Sequence, residues 1–362
     1  MESLRRSVLL TVLAAAFAAG TFACSTDASS AADDPNAPPP DDQAEEEVVS
    51  GLTKFGSKLQ DPDSLTSFGD NVYFTTTYGF ATQEYAEYNH DIWVKAGSAR
   101  AKRLYKTLRG ATWAMTATKN GIYEINEAYA SVMRYPLDGS KPEGESLFHA
   151  VYGHDDQPNV GIVQLRADDD GFVVSVRTDD DESKPGPVLA FSPAGKNETK
   201  LGNVNGGASA LKLEGGKVYV GTRTGDVLAA SRDGSGSLTK IASAAGAVGS
   251  IAVAGDDVFF GTDKGLFVKR KGVAAPVQLL AEGAGDLLVV RDQLLFAQYK
   301  KGVSSMPLAG GVAKIVLKTG APSSLLSQGG FVYVTDKSYG RCTQTDDGQA
   351  CSFDGSAFRL KF

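Results

Sequence analysis

Seven times along this chain a short strand phrase returns, apolar or aromatic at its centre: Asn71-Val72-Tyr73-Phe74-Thr75, Gly121-Ile122-Tyr123-Glu124-Ile125, Gly171-Phe172-Val173-Val174-Ser175, Lys217-Val218-Tyr219-Val220-Gly221, Asp257-Val258-Phe259-Phe260-Gly261, Gln293-Leu294-Leu295-Phe296-Ala297 and Phe331-Val332-Tyr333-Val334-Thr335. Positions 72, 122, 172, 218, 258, 294 and 332 follow one another at intervals of 36 to 50 residues. Each phrase is preceded by a shorter strand and followed by a third strand, a Gly turn and a fourth. That is the period of a four-stranded blade, a unit that buries its faces only against copies of itself. Seven units predict an all-β chain folded as a seven-bladed β-propeller.

The third strands end in matching turns, such as Pro136-Leu137-Asp138-Gly139, Ser192-Pro193-Ala194-Gly195 and Ser231-Arg232-Asp233-Gly234. Asp-Gly and Gly-containing turns of this kind supply the positive φ that hairpins need. The seventh unit stops at its third strand, Ser356 to Phe362, so one strand is missing. The residues before the first unit, Thr53 to Gln60, read like the fourth strands elsewhere, for example Lys314-Ile315-Val316-Leu317-Lys318. The N-terminal strand is therefore expected to complete the last blade and remove an open sheet edge.

Ahead of the ring, residues 1–23 have the three parts of a secretory signal: Arg5 and Arg6, the apolar run Val8 to Ala19, and small residues before Cys24. That run is too short to span a membrane as a helix. Thr21-Phe22-Ala23-Cys24 resembles the bacterial lipobox, which implies acylation of Cys24 and a lipid anchor as the only membrane contact. The lipobox prefers Leu at the position held by Thr21, and ordinary signal-peptidase cleavage is the alternative. Residues 24–50 are rich in Asp, Glu, Pro, Ala and Ser, with Pro38-Pro39-Pro40 and Glu45-Glu46-Glu47, and read as a disordered acidic tether. The chain carries a net charge of −7, and the tether with the signal accounts for all of it, so the ring from 51 to 362 is charge-balanced. A balanced ring has no basic face for a phosphate backbone, and nucleic acid is not expected as a partner.

Gly216-Lys217-Val218-Tyr219-Val220-Gly221-Thr222-Arg223-Thr224-Gly225-Asp226-Val227-Leu228-Ala229-Ala230 resembles a PQQ-like propeller repeat, as does the stretch from Val258 to Val268. The pattern is shared by quinoprotein dehydrogenases and by scaffold lipoproteins of outer-membrane protein assembly. The resemblance implies a propeller at the bacterial cell envelope, as an outer-membrane lipoprotein. Those families have eight blades, and the quinoproteins carry a docking tryptophan in most repeats. This chain has two tryptophans, Trp93 and Trp113, which argues against a quinone, and no cofactor is expected.

In such a fold the loops joining second to third strands share a face with the links between blades. They are long in blade one (Thr76 to His90), blade three (Arg177 to Glu182) and blade seven (Tyr339 to Ser352), and short in blades four, five and six. Loops on a rigid scaffold usually carry function, so this lopsided face is the expected binding surface, with Tyr78, Phe80, Tyr85, Tyr88, His90, Tyr129, Tyr152, His154, Asp155 and Asp156 as its candidate residues. Tolerated insertions are the plain alternative. The histidines lack convergent ligand spacing for zinc, and Asp179-Asp180-Asp181-Glu182 lacks the alternation of a Ca²⁺ loop, so no metal is expected. No nucleophile elbow or phosphate loop occurs. Binding of a protein or glycan at the envelope is thus favoured over catalysis. The rival readings are a scaffold in envelope protein assembly, and a hydrolase or lyase using carboxylates such as Asp155 and Asp156. Cys342 and Cys351 remain as a pair, and export favours a disulfide between them.

Overall fold

The computed structural model describes residues 47–362 except 50–51, 60–61, 82–85, 110–111, 113, 127–129, 151–160, 180, 182, 338, 346–347 and 354. The architecture is a seven-bladed β-propeller. Blade one is built from Pro62–Phe68, Asn71–Ala81, Ala86–Ala96 and Lys102–Arg109, hydrogen-bonded in that order from the axis outwards. The innermost strands of blades two to six are Met115–Thr118, Gly161–Asp168, Ala210–Glu214, Val248–Ala254 and Leu287–Val290, each followed by three more strands of its own blade.

Blade seven is the composite that the strand count requires. Its strands run Pro322–Gln328, Phe331–Asp336, Gly355–Lys361 and then Leu52–Leu59 from the other end of the chain. The joining register is Leu52↔Leu360, Thr53↔Arg359, Lys54↔Phe358, Gly56↔Ala357 and Leu59↔Gly355. A fifth strand, Glu47–Val49, pairs outside it through Val48↔Thr53. This end of the expected tether is therefore strand, where Val48 and Val49 bring β-branched side chains suited to a pleated edge.

The repeated phrase is apolar on both sides because each blade is covered on both faces. In blade one Val72 and Phe74 pack towards blade seven, whereas Tyr73 between them packs towards blade two. In blade four Val218 and Val220 pack towards blade three, and Tyr219 towards blade five. The period-2 alternation of a strand thus divides one apolar run between two interfaces. Among the described residues one apolar cluster fills each junction between neighbouring blades.

Candidate binding face and axial channel

Blade one departs most from its repeat. Its second and third strands are 11 residues each, against five to seven in the other blades. The segment from Thr76 to His90, expected as a loop, continues the ladder instead, through Thr77↔His90, Tyr78↔Asn89, Gly79↔Tyr88, Phe80↔Glu87 and Ala81↔Ala86. Its threonines and aromatics are strand formers, so the pairing simply runs on past the blade. Blade seven does the same between its second and third strands. Tyr339–Thr345 pairs with Gly348–Phe353, and the register sets Cys342 opposite Cys351. Here too a loop was expected, and the Asp-Gly signal at Asp347-Gly348 was the overlooked sign of a hairpin. Both extensions belong to the face that carries second-to-third-strand connections, and blades seven and one are neighbours.

The backbone thus places Tyr78, Phe80 and Tyr88 on the blade-one hairpin, while their side chains lie outside the described residues, as do Tyr85, Tyr129, Tyr152, His154, Asp155 and Asp156. His90 is described and is not on the exposed face. Its side chain is fully buried, with Nε2 2.9 Å from Glu124 Oε2 of blade two, itself fully buried. Glu124 also faces Tyr135, whose phenol is pushed well above its ordinary value by burial first and by the Glu124 charge second. The overlooked signal was a carboxylate at the centre of an apolar strand phrase, Ile122-Tyr123-Glu124-Ile125.

Alternate residues of the same strand are fastened towards blade seven. Asp91, buried, lies 3.4 Å from Arg103 Nε, and the Arg103 guanidinium sits over the Trp93 ring at 5.1 Å. Trp93 Nε1 donates to Thr76 Oγ1 at 2.9 Å. Lys95, also buried, donates to the Ala99 carbonyl at 2.6 Å and lies 5.5 Å from the centroid of Phe55. The hairpin of blade one therefore grows from a base held on both sides by desolvated charges, which lose much if a partner is removed.

On the axis, hydrogen bonds link successive blades. Ala117 N donates to Thr66 Oγ1, Gln164 Nε2 to the Ser209 carbonyl, Ser209 Oγ to the Val248 carbonyl, and Ser323 Oγ to the Pro62 carbonyl. Asp286 accepts three hydrogen bonds, two of them between blades: from Ser250 Oγ of blade five and from Leu325 N of blade seven at 2.7 Å, with the third from Leu287 N of its own blade. Burial nevertheless raises its pKa above the ordinary carboxylate value, outweighing those donors and the charge of Arg166. Arg166, on the innermost strand of blade three, is half-buried, and burial lowers its pKa against the pull of Asp286 and Asp63. Asp63 is paired with Lys337 Nζ at 2.6 Å. This polar channel went unread in the sequence, because nothing in a strand's own residues says which distant charges share an axis.

The opposite face, made by the short turns, holds a groove of about 510 Å³ between blades three and four, lined by Asp170, Phe191, Asn197, Thr199, Arg232 and Asp233 among others. Asp233 is held at a pKa of about 2 by hydrogen bonds from Ser231 and Ser235. Among the described residues no group of three or more His, Cys, Asp or Glu converges to hold a metal ion.

The class of protein is thus a closed propeller with one elaborated face. Similar folds confirm the architecture at low sequence identity. The WD40 β-propeller domain of Doa1 aligns with a TM-score of 0.58 and 12% identity, covering 86% of this chain and 97% of that one. YCF48 bound to D1 peptide aligns with 0.56 and 9%, covering 90% and 99%. The computationally designed Ika8 protein aligns with 0.55 and 12%, covering 89% and 96%. No protein-family model and no curated protein matches the sequence.

Proposed function

We propose that this chain is an exported, non-enzymatic binding propeller, tethered to the bacterial envelope through lipid on Cys24, that captures a protein partner on its hairpin-bearing face. The observation that carries the reading is the pair of outgrown hairpins, Asn71–Ala81 with Ala86–Ala96 and Tyr339–Thr345 with Gly348–Phe353, on one face of adjacent blades. Added β-ladder and the aromatic residues in its sequence are both recurring means of binding extended segments. YCF48, similar in fold, is seen with a peptide. The register that sets Cys342 opposite Cys351 supports a disulfide that would stiffen the blade-seven hairpin in an oxidising compartment.

The test is affinity capture from envelope extracts with three baits: the full ring, a ring with residues 79–88 replaced by a two-residue turn, and a ring with residues 341–352 so replaced. A partner held by the full ring and lost from both shortened rings supports the reading. Equal retention by all three refutes it. Recovery of an outer-membrane barrel protein would assign the finer role of assembly scaffold, and elution by free sugar would replace the protein partner by a glycan. Incorporation of labelled fatty acid, lost in Cys24→Ala, tests the anchor.

A further inference from the structure

The outer edge of the ring is unevenly charged, and its bases gather where the chain closes on itself. The fourth strand of blade one, Lys102–Arg109, carries Lys102, Arg103, Lys106 and Arg109 and no acid, and Arg100 stands just before it. The fourth strands of blades two to six hold at most one Lys or Arg each. In blade seven the closing strand adds Lys54 and Lys58, and the strand it pairs with adds Arg359 and Lys361, again without an acid.

These strands meet. Phe55 of the closing strand and Ala101 of blade one share one buried cluster, and Arg359 Nη1 donates to the Gly97 carbonyl of blade one at 3.4 Å. Arg103 turns inwards to Asp91, whereas Arg100, Lys102, Lys106 and Lys361 are exposed. Asp70 comes near through its main chain, accepting from Gly97 N at 3.3 Å. Like charges gathered on one rim repel one another, and an acidic partner relieves that repulsion.

The chain carries such a partner beside the rim. Glu47 stands opposite Lys54 in the register of the outermost pair, an opposite-charge juxtaposition across neighbouring strands. The pairing is antiparallel, so the strand read from Val49 back to Glu47 advances from Leu52 towards Lys58. Ahead of it in the sequence come Asp41, Asp42, Glu45 and Glu46, with no base among residues 41–46, which lie outside the described residues. The span from Asp41 to Glu47 reaches at most about 21 Å, so all four carboxylates stay close to the rim. One exposed ion pair contributes little, but four carboxylates tethered at an effective concentration on the order of millimolar act together.

We propose that the acidic residues 41–46 dock on the basic rim of blades seven and one, covering the seam at which the ring closes. The docking is independent of lipid on Cys24 and of the hairpin-bearing face. Carbodiimide joins a carboxylate directly to a lysine amine in contact with it, and so tests the docking on the full chain. The exposed pair of Asp256 and Lys271 on blade five, 2.8 Å apart, is the internal reference. Peptide mapping should recover amide links from residues 41–46 to Lys102 or Lys106, normalised to that pair. Their yield should fall roughly tenfold between about 0.05 M and about 1 M sodium chloride, as the screening length shrinks to about 3 Å. Links spread equally to Lys217 and Lys240 of blade four, no link to blade one, or links undiminished by salt overturn the proposal. Protection of Lys102 and Lys106 by phosphatidylglycerol vesicles, without links to residues 41–46, would assign the rim to an anionic membrane and overturn it too.

Discussion

The Phe55 ring, on the strand that closes the propeller, meets the Phe74 ring of blade one edge-on, with centroids 5.8 Å apart and planes at 71°. On its other side it meets Tyr333 of blade seven at 5.7 Å and 70°. One almost fully buried side chain from the N-terminal strand therefore joins the first and last blades. Phe55→Ala should cost about 3–5 kcal/mol, the range for a buried aromatic lost from a packed core. Urea unfolding followed by intrinsic fluorescence checks this. A change under about 1 kcal/mol would mean that the N-terminal strand is not what closes the ring.

His90 and Glu124 are expected to behave as a coupled pair. His90→Ala leaves a buried carboxylate without its imidazole and should cost about 3–5 kcal/mol. The double variant His90→Leu with Glu124→Leu removes both polar partners of the buried contact and should be less destabilised than the sum of its single variants. A double-mutant cycle from denaturant titrations measures the coupling, and additive single effects would show that the two residues do not act on each other.

The seven blades and the closing strand were legible because both follow from counting. A strand covered on two faces must be apolar along its length, and Val218-Tyr219-Val220 announces that directly. Most of the site was not legible. Whether Thr76 to His90 is loop or ladder depends on pairing partners, and the local residues Tyr78, Phe80 and Tyr88 suit either state. The His90 to Glu124 contact spans 34 positions, and the Asp286 hydrogen bonds join blades five, six and seven, so tertiary placement alone reveals them.

Asp286 gives the ring a pH signature. Its folded-state pKa is raised, so the folded chain holds a proton more tightly there than the unfolded chain does, and this contribution to stability falls as pH rises from 3.8 towards the folded value. Asp286→Asn removes that titration. The difference in unfolding free energy between wild type and variant, measured from acid to neutral pH, should slope against the wild type across that window and flatten above it. A slope of opposite sign would contradict the burial of this carboxylate.

Residues facing each other across an antiparallel pair have Cα atoms about 4.5–5.5 Å apart, within the range a disulfide spans. Cys342 and Cys351 occupy such positions. Peptide mass mapping under non-reducing conditions should recover them linked when the chain is produced in an oxidising compartment. For a loop of about ten residues the chain-entropy model gives roughly 2.7 kcal/mol, which should appear as a lower Tm of the chain on reduction. Two free thiols would refute the link.

The two faces of the ring are the decisive contrast. A photo-crosslinking residue placed at Tyr88, on the blade-one hairpin, should form an adduct with a single partner in envelope extracts. The same residue placed at Asp256, in a short turn on the opposite face, should form none. Equal labelling from both positions, or adducts from Asp256 alone, would contradict the assignment of binding to the hairpin-bearing face.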